Sequence, residues 1–500
     1  MSHPSPDPET TQEMEQAPSR AFSRLRYFSY AIVGVAALVA TFAVGAPYWI
    51  GLKTEQRYFE FLDLPRESGP IVLVNEGYER GVFESHAKMR VEITPPRIAT
   101  GNGAQNYPTM SFSVTHVIKH GPFRLMPSGG GGEHPEFVLA LIESRFVPPP
   151  VDENKAWLTK MISDTVVRTK LLVGGDSIVQ LSSPPVSAMF SEGDETGTIE
   201  FGGVSVDMWF DPAWESMVGS GQIPKLSVSD KGTTLQIEGF EYFGDSSKNA
   251  SGLPLGDSTV QLARASLYFA AREETKEDAR RFSCDGLTLT ASSWADGERV
   301  NASTVLSAKQ VAVNETKWGP WLLDLQVRKL DQGLLSRLQQ TLREVSAIRG
   351  MTPEQLQEKM MLVYKDFFLA LMEKTFDVEL NRLDLALGAD HLHLRVMAGL
   401  QKPKPMGNFL DSVGVEKAGI DLEFSEGLFQ SLETAAKSFT HAEPEESGPG
   451  AGAAEQALKT LTEKKILLLE NGDYKGAAAY EGGRVDLNGT SMSLEELMKL

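Results

Sequence analysis

Through most of its length the chain alternates apolar and polar residues with period two. Val204, Val206, Met208 and Phe210 alternate with Ser205, Asp207 and Trp209. Successive side chains of a strand point to opposite faces, so the pattern predicts a strand with one apolar side. Leu226 and Val228, then Leu235 and Ile237, flank Asp230-Lys231-Gly232. That arrangement predicts a hairpin with Gly in its turn. Similar alternation recurs at 257–271, 286–292, 303–313, 320–330, 377–387 and 391–398. Many strands joined by short turns predict antiparallel sheet rather than alternating β and α units.

Helical spacing is rarer. Leu334, Leu335, Leu338, Leu342 and Val345 recur with it. A second helix opens with Thr352 as N-cap, Pro353 in the first helical position and Gln355 completing a T-x-x-Q box. It carries Met360, Met361, Tyr364, Phe367, Phe368, Leu371 and Met372. Positions 360, 364, 367, 368 and 371 can face a sheet. Met361 and Met372 fall at the edge of that face and are candidate interface residues. Further helices are expected near 426–438 and 455–470, with the flexible composition of HAEPEESGPGAGAAE between them. PSGGGGEHPE at 127–136 reads as a hairpin tip, because no Lys-Ser/Thr pair follows its glycines as in a phosphate cradle.

One segment breaks both patterns. From Tyr27 to Leu52 no residue is charged. A membrane-spanning helix needs roughly 20 apolar residues, so this run is long enough. Tyr27, Phe28 and Tyr30 at one end and Tyr48 and Trp49 at the other suit the membrane–water interfaces. Arg20, Arg24 and Arg26 precede the run, which assigns the tail to the cytoplasm and the large remainder to the far side. The alternative is a cleaved signal peptide, with Ala43 and Gly45 before the cut, but the run exceeds the ~7–15 residues usual for such signals. Residues 1–19 are polar, Pro-rich and acidic, with too little apolar surface to fold.

The formal charge of −19, from 67 acidic and 48 basic residues, argues against nucleic acid or anionic headgroups as main partners. Cys284 is the only cysteine, so there is no intramolecular disulfide. Catalytic signatures are missing: no G-x-S-x-G, H-E-x-x-H, Walker loop or C-x-x-C occurs. His391 and His393, with Arg395, share one strand face, and a metal site needs more ligands than that pair. No catalytic, cofactor or metal residue is assigned.

Two clusters are position-specific: GYERGVFESHAKMRVEI at 77–93 and IKHGPF at 118–123. Tyr78, Arg80 and Gly81 read as a tight corner. Gly81 would take an unusual backbone angle, and Arg80 would hold a neighbouring strand through a carbonyl or carboxylate. A single N-terminal span, then Y-x-R-G-x-F-x-S as Tyr78-Arg80-Gly81-Phe83-Ser85, then His120-Gly121-Pro122, resembles the bacterial YdgA-like family, a domain of unknown function (DUF945). DYKGAAAYEGGRVDLNG at 473–489 is similar to that family's ending. The resemblance covers about 50–490 and departs in the acidic tail and the Gly-Pro-Ala linker at 447–453. It implies a Gram-negative inner-membrane protein with a periplasmic β-rich domain, and brings no catalytic residues.

The expected fold is α+β and mainly antiparallel β. A disordered tail (1–26) and a transmembrane anchor (27–52) lead to a β-rich region (53–330). An α+β region (331–500) follows, with a flexible linker at about 441–454. The expected function is a non-enzymatic binding or scaffolding module of the cell envelope, for lipid or an envelope protein. The alternatives are a self-associating structural protein, a homo-oligomer, and a periplasmic hydrolase with dispersed carboxylates.

Overall fold

The computed structural model describes residues 47–497, apart from 57, 60–70, 94–98, 101–102, 105–109, 122, 128–132, 149–155, 193–194, 231, 272–278, 349–352, 404–409, 411–413 and 433–450. The tail and most of the apolar run, residues 1–46, lie outside the described residues, as does most of the expected linker. Among the described residues no helix is long and apolar enough to cross a membrane.

Nearly all strands join one antiparallel sheet of 26. It starts at Ile71–Glu79 and runs by neighbouring strands through Glu84–Ile93, Met110–His120, Glu133–Val147, Val166–Leu172 and Ser177–Ser183. It continues through Val204–Phe210, Ser216–Asp230, Thr233–Lys248, Asp257–Phe269, Arg280–Asp296, Arg299–Ala308 and Trp321–Asp331. Phe376–Leu387, Asp390–Leu400, Val415–Ser425, Asp473–Glu481, Arg484–Leu487 and Thr490–Ser493 complete it. The β-rich, mainly antiparallel expectation holds. The Asp230–Thr233 hairpin forms, with Gly232 at φ +80°.

Because residues opposite each other across a ladder share a face, the registers sort side chains into cross-strand rows. One row runs Tyr78, Ala87, His116, Ser144, Val167, Leu181. It goes on through Val206, Gly221, Tyr242, Val260, Leu289, Leu306 and Leu323 to Leu383, Leu394 and Leu422. The alternate positions on the same strands form polar rows, such as Ser205, Gln222, Glu241, Gln261 and Thr288. The sheet therefore has an apolar side and a polar side along its length.

Along one line across the central strands the alternation slips. Apolar positions step by three instead of two: Phe201 to Val204, Ile223 to Leu226, Ile237 to Phe240, Leu262 to Ala265, Cys284 to Leu287 and Ala308 to Val311. The ladder omits the residues on this line, Pro224 opposite Gly239, Gly239 opposite Ala263 and Ala263 opposite Gly286. Gly239 and Gly286 take φ of +61° and +63°, which residues with a Cβ rarely adopt. A Cβ on Gly239 would also stand 2.7 Å from that of Ala263. Val313 and Trp318, from one side of the line, pack in one cluster with Trp321, Leu392 and Phe424 from the other. The slip thus keeps the apolar residues of both halves on one side of the sheet.

Helices gather toward the two ends of the sheet, and Ala156–Asp164 extends the first of these by contacting Glu133–Val147, Ser177–Ser183 and Val186–Glu192. Tyr58, from the helix described from residue 47 onward, packs on Leu73, Ala87, Met89 and Val114. Leu334, on Gln332–Ala347, and Leu371, on Pro353–Met372, pack on Phe376, Val327 and Leu400. Leu428 and Leu458 cover Phe424 and Leu387. The helix expected near 426–438 is described at 428–432, with 433–438 lying outside the described residues, and the helix expected at 455–470 is Ala451–Glu463, ending earlier.

Candidate functional site

The first cluster of interest is the corner between Glu79 and Glu84. Asx- and Gly-type turns are not what shape it; a buried histidine is. His120 is fully buried, and so is Ser85. His120 Nδ1 lies 3.0 Å from the Val82 carbonyl, which can only accept, so Nδ1 carries the proton. Nε2 then accepts from the Ser85 hydroxyl at 3.1 Å. The Gly81 amide donates to Ser85 Oγ at 3.4 Å. A serine beside an imidazole is the geometry of a nucleophile and its base. Here neither atom reaches solvent and the third group is a backbone carbonyl, so the pair acts as a lock between strands.

Glycines fit the backbone around this lock. A Cβ on Gly121 would stand 1.8 Å from the Val138 oxygen. On Gly51 it would meet the His120 ring at 2.6 Å. Gly81 differs from expectation: its φ is not in the left-handed region. The constraint is proximity, since a Cβ there would meet the Glu84 oxygen at 2.2 Å. Arg80 also differs. Among the described residues its partners lie on the N-terminal helix, with Nη1 2.9 Å from Glu55 Oε2 and its guanidinium 5.4 Å from the Tyr48 ring centre. Phe83 is half-exposed, and Pro122 lies outside the described residues. The corner thus brings Tyr78, Arg80, Gly81, Ser85, His120 and Gly121 together beneath the helix that follows the apolar run.

His116, four residues before His120 on the same strand, belongs to this corner as well. It is buried, its Nδ1 lies 2.7 Å from Ser144 Oγ, and Tyr58 sits edge-on at 5.7 Å between ring centres. Burial holds its pKa down to about 4. Burial likewise pushes the Tyr58 hydroxyl up to about 12.

The second feature is what the helices leave bare. Among the described residues no apolar side chain between 142 and 252 is buried. Leu289, Leu306 and Leu325, all on the apolar side, are 36–38% exposed. On the far side of the slip line, Ala188, Ile199, Val228, Leu235, Leu267, Phe282 and Val313 form another apolar row. The signal for this surface was present as alternation. Its extent depends on the registers, which a single strand does not reveal.

The polar side carries two shallow depressions. One, of about 390 Å³, is lined by Ser205, Asp207, Gln222, Glu241 and Gln261. The other, of about 450 Å³, lies by Asp384, His393, Glu423 and Lys475. His391, Glu423 and Asp473 bring three ligand atoms within 4.8 Å of one another. Lys475 already pairs with Glu423 at 3.1 Å, and His393 Nδ1 with Asp384 at 2.8 Å. These groups read as a ladder of ion pairs across neighbouring strands.

The helix Pro353–Met372 presents a different surface from the one expected. Met361 is 66% exposed. Met372, however, packs against Leu334, Leu371 and Phe376. Tyr364 and Phe368, expected to face the sheet, are exposed together with Leu362 and Leu369. The reason is geometric: the helix rests on Gln332–Ala347, and its apolar contacts to the sheet gather near its C-terminal end, at Phe367 and 370–372.

The family model described as bacterial protein of unknown function (DUF945) matches residues 29–495. The chain belongs to that family. No curated protein and no solved structure matches it.

Proposed function

Taking membership of this family as the premise, we propose that the chain is a membrane-tethered, non-enzymatic binding module of the bacterial envelope, working through the bare apolar side of its sheet. The apolar run is the tether, with residues 1–26 cytoplasmic and the sheet in the periplasm of a Gram-negative cell; Ile50 and Gly51, near its end, dock on the sheet rather than in the bilayer. One observation carries the reading: an ordered apolar face that none of the described helices covers from Val204–Phe210 to Arg299–Ala308. Exposed apolar surface of that extent on a water-facing domain marks an interaction site. Tyr48, Trp49 and Leu52 are exposed on the helix that continues the run, as suits residues at a membrane boundary.

Mass spectrometry of the full chain, purified natively in mild detergent, tests the reading. A co-purifying apolar ligand or envelope protein is the expected result. A chain that emerges bare, with its apolar side inaccessible to apolar probes, would refute it.

A second reading, self-association, draws on the exposed Met361, Leu362, Tyr364, Phe368 and Leu369. The hydrolase alternative finds no enclosed pocket with convergent carboxylates among the described residues.

A further inference from the structure

We infer that the ligand of the bare apolar side is the acyl tail of a membrane lipid, laid across the strands along the cross-strand rows. This rests on the binding-module reading above and names its ligand.

Four observations favour a tail. The first is linearity. The row Leu181, Val206, Gly221, Tyr242, Val260, Leu289, Leu306, Leu323 is flanked by a second row. That second row is Val179, Met208, Gly219, Gly244, Ser258, Ala291, Thr304, Leu325. Rows two residues apart are separated by roughly 7 Å. A flexible unbranched chain lying between them touches both.

The second is chemistry. Neither row contains a charged residue, so the surface has nothing to offer a headgroup and takes only the hydrocarbon part. The overall charge of −19 points the same way, away from anionic headgroup contacts. The third is length. From Val204–Phe210 to Arg299–Ala308 the uncovered strands extend over roughly 24 Å at ~4.8 Å per strand. A single tail spans half of a hydrocarbon core about 30 Å thick, so one tail fits within that length.

The fourth is continuity. The first row begins at Tyr78 and Ala87, beneath the helix that carries the end of the apolar run. On the tether reading, the apolar rows thus start beside the membrane-proximal end of the chain. A lipid tail is the apolar chain nearest to hand.

Photo-cross-linking tests the inference on the full chain in nanodiscs of dioleoyl phosphatidylcholine. One sample carries phosphatidylcholine with a diazirine at the tail end. A parallel sample carries free benzophenone, an apolar probe with no tail. Peptide mapping of the adducts is the readout.

Tail adducts are expected on the strands between Val204 and Ala308, at apolar-side positions such as Val260 and Leu289. Leu289→Glu with Leu306→Glu should lower them about tenfold, because a bound tail strips water from an unpaired carboxylate. Thr288→Glu, on the polar side, should leave them unchanged. Both leucines are more than a third exposed, so the charges are compatible with folding, which circular dichroism checks. If the double variant unfolds, the wild-type adduct map alone decides.

Benzophenone adducts on the strip without tail adducts overturn the acyl inference and leave the binding-module reading standing. Adducts of neither kind overturn both. Chain-to-chain cross-links across the strip assign it to a second copy and overturn the inference.

Discussion

Ser85 and His120, thirty-five residues apart, share a hydrogen bond of 3.1 Å with no access to water. Removing a hydrogen bond from a buried imidazole costs about 1–3 kcal/mol. Ser85→Ala should therefore destabilise the full chain by that amount in a denaturant titration. Gly121→Ala should cost about 3 kcal/mol or more, since its Cβ would overlap the Val138 oxygen. A Gly121→Ala chain of wild-type stability would show that the corner is looser than its distances indicate.

Arg80 should matter less. Its pair with Glu55 is about one-third exposed on both sides, and such pairs contribute about 0–1 kcal/mol. Arg80→Ala should lower stability by no more than that. A larger loss would mean that the contact with Tyr48 carries the docking of the helix.

His116 makes the corner acid-sensitive. Its pKa is about 4 when folded against an ordinary 6.5, so the unfolded chain binds more protons between those values. Stability is full above the ordinary value and falls as pH drops from about 6.5 to 4. The loss is about 3 kcal/mol. His116→Gln should flatten this part of the stability profile, and a wild-type profile that stays level over the interval would contradict it.

The slip line predicts an unequal response along one strand. Gly239→Val places a β-branched residue at φ +61° and against Ala263. It should cost about 2 kcal/mol or more. Leu235→Val, a few residues away on the exposed apolar side, should change stability by less than about 1 kcal/mol. Thermal melts of the two variants compare them directly.

The exposed face of the helix Pro353–Met372 separates association from folding. Met361→Glu with Phe368→Glu alters side chains that are 66% and 58% exposed. The pair should leave stability within about 0.5 kcal/mol per site. Under the self-association reading it should shift the oligomer toward monomer in analytical ultracentrifugation. An unchanged oligomer would remove this surface from consideration.

The strands and both long helices were legible because alternation and helical spacing are local signals. The hairpin at Asp230–Thr233 follows from turn chemistry at Gly232, whereas the N-cap expected at Thr352 lies outside the described residues. The corner was legible as a cluster but not in its reasons. The carboxylate facing Arg80 comes from a helix twenty-five residues earlier, and the constraint on Gly81 is a neighbour's oxygen rather than its own φ. Met372 was misplaced because helical spacing shows which residues share a face, not which face the rest of the chain covers. The steps of three at 201–204, 237–240 and 284–287 were present in the sequence. In any one strand such a step looks like noise, and only the pairing of neighbours aligns them into a line.

That line gives the sequence a reading frame. Within each half of a strand, side chains keep their side only by parity, and losing one residue turns every later one over. A single deletion between Leu235 and Gly239 would send Leu235 to the polar side or Phe240 off its row. A leucine-to-valine change at the same place leaves both where they are. Across the central strands, then, this chain should drift freely in the identity of its apolar residues and hardly at all in their count.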